Sequence, residues 1–292
     1  MHWSVAYGDP VNRPRVLGLV LITLLSVIPA AAPGASLAAA PGHGYRCVLD
    51  AFGQTADGRI EFRRVVNSRV EIAKATRARV SWRPIAWGLV SSSSRPGQET
   101  THQIVASTDG RVRLVETEWH RGRDLSVRVL AVLGRGFPSR LVTFDDRSLY
   151  WVGADQLLHR MRWNERRLVR PRTLPLPIRG ATTMTSHMTD RGMRVYYTDR
   201  SGALHSVAVQ GADSTDTVIR TSGYGTVTGL RAGFCMSPDY TRVRSYVGLL
   251  SVDRASGVGR FQRILRPAAP GGSTVTDAVR VPPSDWTWRR LG

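Results

Sequence analysis

Lysine is almost absent from this sequence: Lys74 is the single lysine among 41 basic residues, and the others are arginines. Acidic residues are also few, 22 in a chain of 292 residues, so the formal net charge is +19. Such an excess attracts polyanions with a strength that falls as the salt concentration rises. The rest of the composition, 42% hydrophobic and 22% charged, is typical of a globular protein.

The sequence also lacks the short motifs that mark common catalytic sites. It contains no Gly-x-Ser-x-Gly elbow, no His-Glu-x-x-His zinc motif and no phosphate-binding loop. His102, His120 and His187 have no partner at ligand spacing, so no set of metal ligands can be named. We therefore expect no metal, no cofactor and no enzymatic activity.

One long hydrophobic run stands out, at residues 16–28, directly after Arg13 and Arg15. Its 13 residues are too few to span a bilayer and typical of a signal-peptide core. Small residues at Ser36 and Ala38 predict cleavage after Ala38. The alternative is a retained membrane anchor. The sequence therefore predicts a signal peptide over residues 1–38 and a secreted, extracellular protein.

Export also limits the partners that the positive charge can meet. A secreted chain with no transmembrane span after signal cleavage does not encounter cytosolic nucleic acid. Glycans and anionic cell-wall polymers are the expected partners, and we expect the protein to be a monomer.

Cysteine occurs only at Cys47 and Cys235. In an oxidising compartment an isolated pair predicts one disulfide, with two free thiols as the alternative. The two positions are 188 residues apart. Loop entropy predicts that such a crosslink stabilises the fold by about 5 kcal/mol at most.

Helical periodicity is missing, and β-hairpins recur instead. The segment "LYWV" at 149–152 is followed by the turn "GADQ" and the strand "LLHRMRW". The same order returns 46 residues later as "VYYT" at 195–198, "DRSG" and "ALHSVAV". β-branched and aromatic residues on both sides of a turn predict a hairpin, and apolar residues on both faces predict that it is covered on both sides.

Five such hairpins are predicted, near residues 58, 110, 156, 202 and 257. A four-stranded propeller blade needs roughly 40–50 residues, which matches this spacing. We therefore predict an all-β fold, a single five-bladed β-propeller over residues 44–292. The predicted disulfide would join the first and last blades and close the ring. The alternative is a β-sandwich.

The stretch "SRLVTFDDRSLYWVGADQLLHRMRW" resembles the repeat of tachylectin-type lectins, which are five-bladed propellers. The elements that correspond are an apolar strand, an Asp-containing turn, a Leu-Tyr-aliphatic strand, a second Asp turn and a Leu-aromatic-basic strand, at 141–144, 145–146, 149–152, Asp155 and 157–160. Arg147 and Ser148 depart from the pattern, which has a glycine there. The resemblance implies several weak sites for N-acetylated amino sugars and no metal.

Aspartate recurs in the predicted turns, at 57, 109, 155, 199 and 253. A catalytic pair is unique, so recurrence favours either turn formation or a repeated sugar contact. The predicted carbohydrate-binding residues lie between blades; they are Asp109, Tyr150, Asp155, Tyr196 and Asp199, with Trp87 and Trp119 as candidate stacking platforms. Core packing is the alternative for both tryptophans.

The sequence thus favours a secreted, non-catalytic lectin that binds amino-sugar glycans weakly at several sites. His159 and His205, at matching positions of the repeat, are interpreted as hydrogen-bonded core residues rather than ligands. One alternative is an exported polysaccharide hydrolase with Asp145 or Asp146 among its carboxylates. The other is a basic protein-interaction propeller held at an anionic cell surface.

Overall fold

The computed structural model describes residues 45–137, 139, 141–145, 147–189, 192–210, 213–236, 243–265, 273–288 and 291. Strands and turns make up these ranges, and none of them contains a helix long and apolar enough to cross a bilayer. The predicted signal peptide and Asp146 lie outside the described residues.

Twenty strands lie within the described ranges. The first seven are β1 (Arg46–Gln54), β2 (Ile60–Val66), β3 (Arg69–Ala75), β4 (Pro84–Arg95), β5 (Gln98–Ser107), β6 (Val112–His120) and β7 (Ser126–Gly134). The next eight are β8 (Val142–Asp145), β9 (Ser148–Val152), β10 (Leu157–Trp163), β11 (Leu168–Pro177), β12 (Ala181–Thr189), β13 (Gly192–Asp199), β14 (Leu204–Gln210) and β15 (Asp213–Arg220). The last five are β16 (Gly229–Met236), β17 (Val243–Asp253), β18 (Val258–Leu265), β19 (Thr274–Val275) and β20 (Val279–Val281).

These strands form antiparallel sheets in chain order. Three sheets have four strands each, β4 to β7, β8 to β11 and β12 to β15. A fourth sheet has eight strands in the order β19-β18-β17-β16-β1-β2-β3, with β20 beside β18. It therefore joins the beginning of the described chain to its end.

The first strands of the sheets follow one another in a cycle. β4 contacts β8, β8 contacts β12 and β12 contacts β16. β16 pairs with β1, which in turn contacts β4. Small antiparallel sheets arranged radially around such a cycle define a β-propeller. The fold is therefore all-β, and the alternative of two facing sheets is wrong.

Hydrophobic cores lie between neighbouring groups of strands. Phe52 of β1 stacks on Trp87 of β4, with 4.7 Å between ring centroids. Similar clusters join β4 to β6 with β8 to β10, β9 to β11 with β12 to β14, and β13 and β14 with β16 to β18. A further cluster lies between β1 and β2 on one side and β17 and β18 on the other. Each interface thus buries the sheet faces that a hairpin alone would leave exposed.

The five predicted hairpins are confirmed, as β1–β2, β5–β6, β9–β10, β13–β14 and β17–β18. Glycine is required in the β13–β14 turn, where Gly202 has a φ of +83° and a Cβ would lie 2.8 Å from the Gly225 nitrogen. β4 lies at the inner contact cycle, and residues 274–281 contribute two short strands, β19 and β20.

The seam between β1 and β16 contains the predicted disulfide, which is confirmed. Cys47 and Cys235 lie directly opposite each other in the ladder and are bonded. The two strands pair only at this end and diverge beyond it. The C-terminal segment fills the gap, with Trp286, Trp288 and Leu291 buried against both strand groups. The closure therefore combines a covalent bond with a hydrophobic insert.

Candidate functional site

A pocket of about 130 Å³ lies where the inner strands meet, and we call it the axial pocket. β1, β4, β8, β12 and β16 all contribute to its wall, together with the start of β5 and the end of β6. Its charged and ionisable lining residues are Asp50, Glu99, Asp145, His187 and Arg231. Three carboxylates thus meet in one pocket of a strongly basic chain.

On one side of the axial pocket, Arg64 of β2 binds two of the lining carboxylates, Asp50 and Glu99. Its Nε and Nη2 atoms donate to Asp50 at 2.7 and 2.8 Å, and Nη1 and Nη2 donate to Glu99 at 2.9 and 3.0 Å. Burial works to lower the pKa of Arg64, but the hydrogen bonds to Asp50 and Glu99 outweigh it and raise the pKa above its ordinary value. This bidentate pairing fixes the two carboxylates in place.

Arg231 of β16 also lines the pocket and bridges β1 and β4. Its Nε donates to the Asp50 carbonyl oxygen at 2.8 Å, and Nη1 donates to the Trp87 carbonyl oxygen at 3.0 Å. Burial lowers the pKa of Arg231, and the nearby Asp145 and Asp50 charges only partly oppose this. Arg231 is therefore a positioned cation whose direct hydrogen bonds go to backbone carbonyls.

Asp145 and His187 form the opposite side, at the ends of β8 and β12. Asp145 Oδ2 accepts a hydrogen bond from the Met188 amide at 2.7 Å and lies 3.5 Å from His187 Nδ1. The hydroxyls of Thr143 and Ser186 hydrogen-bond across the same two strands at 2.8 Å. Asp145, one of the two carboxylates predicted for a hydrolase, thus lies in the axial pocket.

Aromatic and neutral polar side chains complete the wall. Phe234 is 45% exposed and Trp119 is half-buried, so both present ring surface to the pocket. Thr101 and Thr117 hydrogen-bond at 2.6 Å, and the Gln103 amide donates to Thr101 at 2.8 Å. The pocket therefore combines carboxylate acceptors, cationic donors and apolar ring faces at short range.

The recurrent turn aspartates serve as turn formers. Asp109 accepts from the Arg111 amide at 3.1 Å, Asp155 from the Leu157 amide at 3.1 Å, and Asp199 from the Ala203 amide at 2.9 Å. Glu99 lines the axial pocket from the start of β5, whereas Asp109 follows the end of β5. The aspartate turns therefore lie at the end of each hairpin that faces away from the axial pocket. The structure therefore does not bring these aspartates together with the pocket.

Hydrogen-bond partners lower the pKa of the same three aspartates, which favours their ionised form. The Arg113 guanidinium, 2.6 Å from Asp109, holds the pKa of that carboxyl well below its usual range. A hydrogen bond from His159 lowers the pKa of Asp155. Partial burial works to raise the pKa of Asp199, but hydrogen bonds from Ser201, Ala203 and His205 lower it overall.

The two repeated histidines are hydrogen-bonded, as the sequence predicts. His159 stacks on Trp151, with Nε2 at 2.9 Å from Asp155 and Nδ1 at 3.0 Å from the Thr173 hydroxyl. His205 stacks on Tyr197 and lies between Asp199 and Asp216, at 3.3 and 3.2 Å. No cluster of His, Cys, Asp and Glu suited to a metal occurs in the described ranges.

Three of the predicted sugar contacts are core residues, which is a correction. Tyr150, Tyr196 and Trp87 are each at most 2% exposed, packed between neighbouring sheets. The sequence analysis chose these residues because they lie on strands with apolar residues on both faces. Such strands are covered by a neighbouring sheet on each side, and this covering buries the three rings. Burial also raises the pKa of the Tyr196 phenol. Trp119 is the one predicted carbohydrate-binding residue among those lining the axial pocket.

A second pocket, of about 470 Å³, lies between the sheet of β8 to β11 and the sheet of β12 to β15. Gln156 and Arg200 line it, next to the turn aspartates 155 and 199, whose own side chains do not. The location of this pocket matches the predicted position of a site between blades.

Sequence reasoning missed Asp50, Glu99, His187 and Arg231 as members of one site. A signal was available for one of them: Arg231 is a charged residue inside the largely apolar strand "GLRAGFCM". Glu99 and Asp50 carry no comparable mark, because their strands alternate polar and apolar residues along most of their length.

No family model and no curated protein matches this sequence. Solved structures with a similar arrangement include SapL1 lectin in complex with alpha methyl fucoside, at 13% identity over 82% of both chains and a TM-score of 0.42. The fucose-specific lectin from Aleuria aurantia matches at 12% identity over 82% of this chain and 81% of that one, with a TM-score of 0.43. The Myceliophteria thermophila Cps50 (Swd1) β-propeller domain matches at 12% over 80% and 70%, with a TM-score of 0.39. No ligand or site residue is transferred at this level of similarity.

Proposed function

We propose that this chain is a secreted, non-catalytic carbohydrate-binding propeller whose glycan site is the axial pocket. The observation that carries the proposal is the pocket's composition. Carboxylates at Asp50, Glu99 and Asp145 accept hydrogen bonds from sugar hydroxyls, while the rings of Trp119 and Phe234 pack on the apolar face of a sugar. A volume of about 130 Å³ suits one sugar unit or the end of a glycan chain.

The propeller we propose has five blades. The eight-stranded sheet then comprises two blades, β1 to β3 and β16 to β20, which join at the disulfide. Five hairpins with an aspartate turn and hydrophobic clusters at each interface support this count. An experimental structure with six radial sheets would refute it.

Glycan binding is tested with the secreted form of the protein on a glycan array at 0.15 and 0.5 M NaCl. We expect binding to particular sugars that survives the higher salt, with N-acetylated amino sugars preferred as the lectin resemblance implies. Phe234→Ala removes an exposed ring from the pocket and should weaken binding about tenfold. Val218→Ala, at a 48% exposed position on β15, is the matched control and should bind as the wild type does.

Stoichiometry separates the axial pocket from sites between blades. One glycan per chain supports the axial pocket, whereas several per chain would favour interblade sites such as the 470 Å³ pocket. Absence of sugar-specific binding, or binding that Phe234→Ala leaves unchanged, would reject the axial site.

Hydrolysis is the second candidate, favoured by the position of Asp145 in the axial pocket. Asp50 and Glu99 accept hydrogen bonds from Arg64, whereas Asp145 lies 3.5 Å from His187 Nδ1, a group that can exchange protons. Release of reducing ends from a bound polysaccharide, abolished by Asp145→Asn, would replace the lectin proposal with this one.

A further inference from the structure

A third pocket, at the same end of the propeller as the axial pocket, is lined by arginines, and we call it the arginine pocket. The β8–β9 turn contributes Arg147, and the β10–β11 hairpin contributes Arg162, Arg167 and Arg170. Glu165 is the one acidic residue that lines it in the described chain, and it pairs with Arg147 at 3.2 Å. The lining therefore carries a net charge of about +3 at neutral pH.

Hydrogen bonds order the backbone of the two turns that carry these side chains. Trp163 donates its amide to the Arg147 carbonyl oxygen at 2.7 Å, which joins the two turns. The Asn164 side chain accepts from the Arg166 and Arg167 amides at 3.2 and 2.9 Å and shapes the hairpin loop.

Backbone conformation at the arginine pocket is unusual as well. Arg147, Glu165 and Arg170 have φ values of +57°, +73° and +56°, a region that residues other than glycine seldom adopt. Such conformations concentrate where a site fixes the direction of its side chains. The two turns bring four guanidinium groups together around one carboxylate, so a bound anion would offset the remaining positive charge.

We propose that the arginine pocket binds the phosphate or sulfate esters of an anionic polymer. Planar guanidinium groups donate paired hydrogen bonds to the oxygens of a tetrahedral oxyanion. The pocket volume of about 510 Å³ exceeds that of one such group, so it accommodates a polymer segment. Asp145, the last residue of β8, lines the axial pocket, and Arg147, two positions later, lines the arginine pocket, so the two pockets are neighbours. The inference does not depend on glycan binding in the axial pocket.

The test measures binding of three polymers of equal length, dextran phosphate, dextran sulfate and unmodified dextran, by titration calorimetry at 0.05, 0.15 and 0.5 M NaCl. We expect the full chain to bind one or both esters at 0.15 M NaCl and to leave unmodified dextran unbound. The two ester arms distinguish phosphate from sulfate. Binding should weaken as salt rises, because exposed ion pairs are screened.

Arginine variants separate a specific pocket from general charge. Arg162→Gln with Arg167→Gln should weaken ester binding at least tenfold. Arg179→Gln with Arg254→Gln removes the same charge from exposed positions at the opposite end and should change it less than threefold. Equal losses in the two double variants, or no binding of either ester by the wild type, would overturn the proposal.

A second double variant, Arg147→Gly with Arg170→Gly, keeps the test valid if the first one misfolds. Glycine adopts a positive φ readily, so these changes remove two guanidinium groups without straining the backbone. The expected loss is again at least tenfold. Retained ester binding in this folded variant would also overturn the proposal. Loss of neutral-glycan binding on Phe234→Ala concerns the axial pocket alone, so the two proposals fail separately.

Discussion

At the scale of single residues, Arg64 shows how charge is accommodated in the axial pocket. The guanidinium is 20% exposed and binds Asp50 and Glu99 together, so each carboxylate is satisfied by a group from another strand. Removal of one partner from a largely buried ion pair leaves the remaining charge poorly solvated.

Glu99→Gln tests this arrangement. The free energy of unfolding, from urea denaturation, should fall by about 1–3 kcal/mol, because the charge-assisted hydrogen bonds to Glu99 are weakened and Arg64 keeps only Asp50 as a charged partner. Glu71→Gln is the control: its ion pair with Arg46 is about half exposed on both sides and should contribute less than about 0.5 kcal/mol. Equal effects of the two substitutions would contradict the buried role of Glu99.

The turn aspartates predict how stability depends on pH. Arg113 lowers the pKa of Asp109 in the folded state below its ordinary value of 3.8, so the unfolded chain binds this proton more readily. The stabilisation is present above pH 3.8 and is lost as the pH falls below it, through the folded-state pKa. Asp109→Asn, which can keep the turn, should therefore destabilise the protein at pH 6 and progressively less towards pH 2. A difference in unfolding free energy that is constant over this range would contradict the pKa shift.

At the scale of structural elements, the C-terminal segment, residues 285–288 and 291, packs between β1 and β2 on one side and β17 and β18 on the other, and we call it the C-terminal wedge. The Trp286 indole donates to the Val281 carbonyl oxygen at 3.1 Å, and the Trp288 indole donates to Glu61 at 2.7 Å. Arg63 lies 4.5 Å from the Trp286 ring centroid and bonds Asp285 at 2.7 Å. The segment therefore replaces the pairing that β1 and β16 lack beyond the disulfide.

Gly53→Ala should disturb this wedge, because a Cβ at Gly53 would overlap the Trp288 indole. We expect a loss of about 1–3 kcal/mol in unfolding free energy, with a shift in tryptophan fluorescence. Gly134→Ala, at a strand position with open space around it, is the control and should change stability by less than about 0.5 kcal/mol. An unchanged stability for Gly53→Ala would show that Trp288 does not pack against β1.

The elements were more predictable from sequence than the site, for a physical reason. A hairpin depends on strand alternation and on turn residues such as the aspartate at 155 and the glycine at 202, which are neighbours in the chain. The axial pocket assembles Asp50, Glu99, Asp145 and Arg231 from four strands in three sheets, so no local pattern relates them. Tyr150 and Tyr196 were misassigned because an aromatic residue on a two-sided strand has the same local pattern whether it packs in the core or binds a ligand.

At the scale of the whole molecule, the ring is closed covalently where its two ends meet. The disulfide spans 188 positions between neighbouring strands of one sheet. Local contacts hold each hairpin together, whereas the seam depends on groups from opposite ends of the chain. A positive net charge adds repulsion throughout the molecule, which favours opening at the least supported interface.

Cys47→Ser with Cys235→Ser should therefore lower the free energy of unfolding by up to about 5 kcal/mol, since a long loop in the unfolded chain is no longer constrained. Hydrogen exchange should accelerate first at the β1–β16 pairing, residues 46–48 and 234–236, while the β5–β6 hairpin remains protected. Reductant should shift the urea midpoint of the wild type and leave that of the double variant unchanged. If the oxidised and reduced wild-type proteins unfold at the same midpoint, the disulfide does not secure the ring, and the C-terminal wedge alone closes it.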